Sequence, residues 1–261
     1  MEKYLEVAID AVKRAGEFLL KNFGSITLCH AEEKKANDFV SFVDRESERI
    51  IKERILSAFP DHKFLGEEEG GDLKCQGWLW IVDPLDGTKN FLHGIDAFSI
   101  SCALLKDKDL KLGVVYLPAK GIIYTAQKGR GAFKNGKRIK VDNHQRIDLS
   151  LFATAFPFRE KSKFEILAKI FGDLYLKFSD VRRIGSAAYD LCLTAEGVFS
   201  VFYEYGLSPW DIAAGSIIVE EAGGVVKDFE GGIGFLKTGN IVAGRSDAVD
   251  VVLDVIKKYW K

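Results

Sequence analysis

The feature that most constrains the fold of this chain is a series of strand-like segments in its first half. Four apolar runs rich in β-branched and aromatic residues follow one another, at residues 78–82, 98–105, 112–116 and 122–126. Charged residues, Gly or Pro separate these runs, as in consecutive strands joined by short turns. We therefore expect a largely antiparallel sheet in this region.

Helical periodicity surrounds the predicted sheet. Apolar residues recur at steps of three and four over residues 5–23 and 44–59, which predicts two amphipathic helices. The second half alternates predicted helices with short predicted strands: helices at 164–171, 187–197, 212–222 and 247–259, and strands at 151–155, 198–203, 225–228 and 241–243. No Pro-, Gly- or Ser-rich linker interrupts the chain. The pattern predicts an α/β fold of helix layers on mixed and antiparallel sheets. We expect one domain over residues 1–261, made of two closely packed halves at about 1–145 and 146–261.

Charge and cysteine content argue against several classes of protein. The 37 Lys and Arg residues nearly cancel the 38 Asp and Glu residues, so no net field favours nucleic acid, and we expect no direct nucleic-acid partner. The four cysteines are widely spread without a C-x-x-C pair, which disfavours a zinc cluster and fits a reducing compartment. Charges interrupt the N-terminal segment, and no apolar run has the length of a membrane span. We therefore expect a cytoplasmic protein without a membrane partner.

The most informative stretch is Trp80-Ile81-Val82-Asp83-Pro84-Leu85-Asp86-Gly87-Thr88. An apolar strand runs directly into Asp83 and Asp86, with a Pro between them that biases its predecessor to extended geometry. Ligands of open α/β sheets bind at strand ends, and carboxylates with an exposed carbonyl suit Mg²⁺. The alternative is that Asp-Pro and Asp-Gly are ordinary turn formers.

Three further carboxylates each have a plain structural explanation as well as a functional one. Glu67 belongs to the run Gly66-Glu67-Glu68-Glu69, which alone is typical of a solvated charge run. Asp211 directly precedes a predicted helix, and Asp44 opens another, so both fit the role of a helix cap or dipole partner.

A near-match to a nucleotide-binding loop is also present at residues 131–138, Gly-Ala-Phe-Lys-Asn-Gly-Lys-Arg. Arg138 stands where a P-loop needs Ser or Thr, and a strand-like run follows where a helix is required. Asn135 and Gly136 therefore predict a hairpin turn instead.

Together these segments resemble the inositol monophosphatase family of Mg²⁺-dependent, lithium-sensitive phosphatases. The resemblance rests on Asp-Pro-Leu-Asp-Gly-Thr with Gly-Glu-Glu upstream and Trp-Asp-x-Ala-Ala-Gly downstream, and it extends from residue 37 to residue 224. It implies an αβαβα sandwich of the sugar-phosphatase type and a homodimer.

The resemblance also implies roles for individual residues. The implied ligands of two or three Mg²⁺ ions are Glu67, Asp83, Asp86, Asp211 and the carbonyl of Leu85. The implied catalytic residues are Asp44 and Thr88, which orient and deprotonate the attacking water, together with Glu67. The implied substrate-binding residues are Leu85, Asp86, Gly87, Thr88, Arg182, Arg183, Gly185, Ser186, Ala187, Glu204 and Asp211.

Three functions are consistent with this reading. The first is hydrolysis of a small sugar or inositol phosphate, with myo-inositol 1-phosphate as the leading substrate. The second is fructose 1,6-bisphosphatase activity, alone or as a dual activity, since Arg182 and Arg183 offer a bidentate clamp for a second phosphate. The third is non-enzymatic, because some bacterial members of the family act as accessory proteins of transcription and ribosome assembly.

Overall fold

The computed structural model describes residues 1–27, 32–35, 38–40, 42–141, 146–157 and 161–260. The α-helices in these ranges are α1 (Glu2–Asn22), α2 (Phe42–Ala58), α3 (Thr88–Leu92), α4 (Phe164–Tyr175), α5 (Ala187–Ala195), α6 (Pro209–Glu221), α7 (Phe235–Thr238) and α8 (Ser246–Tyr259). The strands are β1 (Glu32–Lys35), β2 (Asp38–Val40), β3 (Lys63–Gly66), β4 (Trp78–Asp86), β5 (Ser99–Lys106), β6 (Asp109–Leu117), β7 (Ile122–Gln127), β8 (Gly131–Lys134), β9 (Lys137–Ile139), β10 (Leu151–Thr154), β11 (Asp180–Arg182), β12 (Val201–Glu204), β13 (Val225–Lys227) and β14 (Ile241–Gly244).

Two large sheets organise the fold, beside a small antiparallel pair of β1 and β2. The first sheet has the order β3-β4-β5-β6-β7-β8-β9, and all its pairs are antiparallel except β3 with β4. The second has the order β11-β10-β12-β14-β13 and is mixed. The predicted antiparallel meander is therefore confirmed, and so is the mixture of sheet types.

Three apolar clusters join these sheets to the helices as five layers. Helices α1 and α2 cover the outer face of the first sheet, and α4 and α8 cover the outer face of the second. Helices α5 and α6 fill the space between the sheets. This succession is the expected αβαβα sandwich.

The sequence explains which helix occupies which layer. In α1 the buried residues recur at steps of three and four, so one face packs on the sheet and the other meets solvent. In α6 every residue from Asp211 to Val219 is buried, since a helix between two sheets has no solvent-facing side.

Several predicted boundaries were wrong in instructive ways. Strand β4 continues past Val82 to Asp86, and α6 begins at Pro209, not at residue 212. Proline is favoured in the first turn of a helix because its missing N–H has no helical partner there. Strand β11 was not predicted, because a three-residue edge strand carries too little periodicity to be detected. The turn predicted at Asn135 and Gly136 does join β8 to β9.

Within the described ranges, none of the helices combines the length and apolarity that crossing a membrane requires.

Candidate active site

A bulge at the end of β4 brings Asp83 and Asp86 to one side of the sheet. Asp83 pairs with Ser101 and Asp86 pairs with Ser99, so three steps along β4 match two steps along β5. Residues three apart in a regular strand point to opposite faces, but one inserted residue returns the second side chain to the face of the first. The Asp-Pro-Leu-Asp spacing therefore produces a carboxylate pair.

Asp211 completes a buried cluster of three carboxylates. One oxygen each from Asp83, Asp86 and Asp211 lies within 4.8 Å of the other two, and all three residues are buried. Asp211 stands in the first turn of α6, where its Oδ2 accepts the N–H of Ser208 at 2.6 Å. The predicted capping role is thus confirmed, and the same carboxylate also reaches the cluster.

Burial makes the charged form of these carboxylates unfavourable. It raises the pKa of Asp83 well above the usual value, and the charges of Glu67, Asp86 and Asp211 raise it further. Burial, together with the charge of Asp211, raises the pKa of Asp86 to about 7. Hydrogen bonds to its ionised form oppose this rise but do not cancel it. A cation bound among these carboxylates would therefore favour their ionised form by neutralising its charge.

Asp86 is also fixed by the N-terminus of α5. Its Oδ2 accepts Ser186 Oγ at 2.5 Å, the Ala188 N–H at 2.8 Å and Ser99 Oγ at 3.2 Å. Its Oδ1 accepts the Ala187 N–H at 3.3 Å. A carboxylate at a helix N-terminus is stabilised by the unpaired N–H groups of the first turn. The loop before α5, which comes from the second half of the chain, is thereby joined to the bulge of the first sheet.

Helix α2 contributes a buried polar face to the same region. Thr88 Oγ1 lies 3.0 Å from Asp44 Oδ1 and 3.0 Å from the carbonyl oxygen of Leu85. Ser47, one turn further along α2, donates its hydroxyl to the carbonyl of Pro84 at 2.8 Å. The bulge thus rests on α2, with the side chain of Asp44 directed at Thr88.

A cleft opens above these groups and is lined by most of the predicted site residues: Glu67, Asp83, Leu85, Asp86, Gly87, Thr88, Arg183, Gly185, Ser186, Ala187, Glu204 and Asp211. Asp44 lies behind this lining and contacts it through Thr88.

Arg182 is the predicted substrate residue that does not line the cleft. It lies in β11, where its guanidinium bonds Asp180 Oδ2 at 2.6 Å and the carbonyl of Val181 at 2.7 Å. Arg183 does line the cleft. Of the two arginines considered for a clamp, one thus lines the cleft and the other is bonded to Asp180.

The cleft also contains residues that the sequence reasoning missed, namely Lys89, Asn90, Ala155, Asp190 and Leu207. Asn90 donates its amide to the carbonyls of Ala97 at 2.6 Å and Ile184 at 2.9 Å, which connects the two halves of the chain across the site. Asp190 is 2% exposed, on a helix whose other buried residues are almost all apolar. A charged residue at a position that periodicity buries is the signal that would have identified it.

The donor set fits a hard cation. Three carboxylates and the neighbouring carbonyl of Leu85 supply oxygen ligands, which Mg²⁺ and Ca²⁺ prefer to nitrogen or sulfur. Two carboxylate charges 4 Å apart repel by about 4 kcal/mol at an effective dielectric of 20. A divalent ion between them converts that repulsion into attraction, so the cluster could hold a metal.

Comparisons with known proteins agree with this geometry. The profile of the inositol monophosphatase family matches residues 1–260. The chain is 42% identical to a fructose-1,6-bisphosphatase/inositol-1-monophosphatase of Aquifex aeolicus over 100% of this chain and 98% of that protein. It is 39% identical to the Nus factor SuhB of Escherichia coli over 97% of this chain and 95% of that protein. The solved structure of an IMPase from Thermotoga maritima, 33% identical, superposes with a TM-score of 0.90 over 99% of this chain and 98% of that one. The chain therefore belongs to the inositol monophosphatase family.

Proposed function

We propose that this protein is a Mg²⁺-dependent phosphatase of small sugar or inositol monophosphates, with myo-inositol 1-phosphate as its leading substrate. The observation that carries the proposal is the buried cluster of Asp83, Asp86 and Asp211 at a cleft that also contains Thr88 and Arg183. Family membership supports the same reaction class.

Five groups are proposed to hold two or three Mg²⁺ ions: Glu67, Asp83, Asp86, Asp211 and the carbonyl of Leu85. When bound, Mg²⁺ would neutralise the phosphate charge and supply an activated water for in-line attack. Gly87 and Thr88, at the start of α3, are proposed to present their N–H groups to the phosphate.

Thr88 and Asp44 are proposed to move the proton of the attacking water. A hydroxyl has one hydrogen to donate, so Thr88 Oγ1 bonds either Asp44 or the Leu85 carbonyl at a given moment. When Thr88 donates to Asp44, its oxygen is free to accept a hydrogen bond from water. A proton leaving that water then has a path through Thr88 Oγ1 to Asp44 Oδ1.

Substrate hydroxyls are proposed to meet Glu204 and the 183–187 segment on the far side of the cleft. Glu204 is 7% exposed at the end of β12 and lines the cleft together with Arg183, Gly185, Ser186 and Ala187. A carboxylate that accepts polyol hydroxyls favours ligands that carry them, since an analogue without them desolvates the carboxylate and returns no hydrogen bond.

Parallel turnover assays test this proposal. Inositol 1-phosphate, fructose 1,6-bisphosphate and NADP are each incubated with and without Mg²⁺, and an Asp83→Asn variant serves as the inactive control. We expect Mg²⁺-dependent release of phosphate, fastest from inositol 1-phosphate, and none from the control. Absence of Mg²⁺-dependent hydrolysis of any of these esters would refute the proposal.

Fructose 1,6-bisphosphate is a second candidate substrate, because the relative from Aquifex aeolicus bears both activities in its name. Against this candidate, Arg182 is bonded to Asp180 and does not line the cleft, so Arg183 alone of the suggested clamp lies there. Faster turnover of the bisphosphate than of inositol 1-phosphate would favour this candidate.

An accessory role in transcription or ribosome assembly is the non-enzymatic candidate, favoured by relatives named Nus factor SuhB. The carboxylates of the cluster are buried and so offer little surface to a protein partner, and substitution there should separate the two functions. Asp83→Asn should abolish hydrolysis and leave binding to a transcription complex intact.

Three finer properties are proposed from family membership alone: inhibition by Li⁺, a homodimer and a cytoplasmic location. Titration of turnover with LiCl, light scattering of the purified protein and fractionation of the source cells test them in turn.

A further inference from the structure

Glu48 is a buried carboxylate of α2 to which the sequence patterns assign no role. It is 1% exposed, and both of its oxygens are used. Oε2 accepts the N–H of Glu68 at 2.9 Å, and Oε1 accepts the N–H of Glu69 at 2.8 Å. Hydrogen bonds to a charged acceptor are roughly twice as strong as neutral ones.

The turn that follows β3 is built closely around this carboxylate. Gly66 and Gly70 exchange backbone hydrogen bonds at 3.2 and 3.1 Å, which closes the turn. A Cβ added to Gly66 would lie 2.2 Å from Glu48 Oε2 and 2.4 Å from Glu48 Cδ. Only glycine therefore lets the carboxylate reach the two N–H groups.

Glu67 occupies the second position of this turn and lines the cleft. Asp83 lines the same cleft, so this turn brings Glu67 to the side of the carboxylate cluster. Glu48 lies one helical turn after Asp44 on α2, so the two side chains share one face of the helix. One of them contacts Thr88, and the other holds the turn that carries Glu67.

We propose that Glu48 is a positioning residue for metal binding, which it supports by holding the 66–70 turn so that Glu67 faces Asp83. The inference rests on the proposed function, in which Glu67 is a metal ligand. Residues that orient ligands in this way typically change metal affinity by about 10–100-fold when altered. Glu48 itself is not among the residues that line the cleft.

Mg²⁺ affinity measured by isothermal titration of the whole protein with MgCl₂ tests the proposal without relying on turnover. In Glu48→Gln one acceptor becomes an amide donor that faces an N–H, and we expect the dissociation constant for Mg²⁺ to rise about tenfold. At saturating Mg²⁺ the KM for substrate should stay nearly unchanged. Glu53→Gln is the matched control, because Glu53 is an exposed residue of the same helix that pairs with Arg49.

Gly66→Ala perturbs the same contact from the turn instead of from α2. The test therefore does not depend on the correct folding of a single variant. The added methyl displaces the Glu48 carboxylate, so this variant should also lose Mg²⁺ affinity. In a Glu48→Ala background the clash is absent, and Gly66→Ala should then have little further effect.

The outcomes separate the two proposals. Equal Mg²⁺ affinity in Glu48→Gln and the unaltered chain would overturn the positioning role, even if the variant melted at a lower temperature. Additive effects of Glu48→Ala and Gly66→Ala would overturn it as well. Absence of Mg²⁺ binding by the unaltered chain would refute the proposed function and this inference with it.

Discussion

Asp86→Asn is the substitution for which a structural role and a ligand role predict opposite changes in stability. An asparagine with its carbonyl oxygen in place of Oδ2 keeps the bonds from Ser186, Ala188 and Ser99. Its amide nitrogen replaces Oδ1, which has only the long contact of 3.3 Å to the Ala187 N–H. The variant therefore keeps most hydrogen bonds and loses the charge.

The expected stabilisation follows from the pKa of Asp86. A rise from 3.8 to about 7 corresponds to roughly 4 kcal/mol of unfavourable free energy when the group is ionised at pH 8 in the metal-free protein. Loss of one weak hydrogen bond costs about 1 kcal/mol. The net stabilisation is at most about 3 kcal/mol, and at about 2–4 °C per kcal/mol the melting temperature should rise by up to about 6–12 °C.

Thermal unfolding at pH 8, with EDTA and then with saturating Mg²⁺ and phosphate, measures this effect. We expect Asp86→Asn to melt above the unaltered chain in EDTA and to gain little from Mg²⁺, whereas the unaltered chain gains stability by mass action. Turnover should be lost. If Asp86→Asn melted below the unaltered chain in EDTA, the charge repulsion inferred for the cluster would be refuted, and Asp86 would act mainly as a cap of α5.

Three further results are expected. A carboxylate whose folded-state pKa is raised holds its proton better in the folded than in the unfolded protein, so its charge destabilises the fold progressively as pH rises from about 4 to about 7. The difference in melting temperature between Asp86→Asn and the unaltered metal-free chain should therefore shrink from pH 8 to pH 5. A constant difference would contradict this. Thr88→Ala and Asp44→Asn should each lower kcat strongly with little change in KM, and the double variant should lose far less than the product of the two losses, as steady-state kinetics at saturating Mg²⁺ will show. Asp190→Asn should raise the melting temperature at pH 8, because burial, the charge of Glu204 and then that of Asp86 raise the pKa of Asp190, and its Oδ1 accepts no hydrogen bond from the described residues. Destabilisation would show that the bond from the Ile184 N–H outweighs the buried charge.

The layers of the fold were predictable because each has a distinct sequence period. Strands β5 and β6 are mostly apolar because both faces of the first sheet are covered, and α1 shows the period of a helix with one buried face. The carboxylate pair was predictable because Asp83 and Asp86 directly follow an apolar strand that is expected to be buried, where solvated charges are unusual.

Other parts of the site depend on pairings that no local pattern encodes. The bulge in β4 is visible only in its register with β5, and the bonds from Ser186 and Ala188 to Asp86 join residues about 100 positions apart. The side of β11 on which Arg182 lies could likewise not be predicted, because the strand itself was not recognised in the sequence. The carboxylates carried by single motifs could thus be identified from the sequence, whereas contacts between the two halves could not.

The carboxylates of this site show that a capping role is compatible with the proposed ligand role. Asp211 accepts the Ser208 N–H in the first turn of α6, Asp86 accepts N–H groups at the start of α5, and both reach the cluster with Asp83. A helix N-terminus stabilises a nearby negative charge, so it can fix a carboxylate in place while an oxygen remains directed at a cation. Asparagine preserves such a cap because its carbonyl accepts the same N–H, but it removes the charge. Asn variants therefore test the charge alone, Ala variants remove cap and charge together, and the difference between the two isolates what capping contributes to the stability of the site.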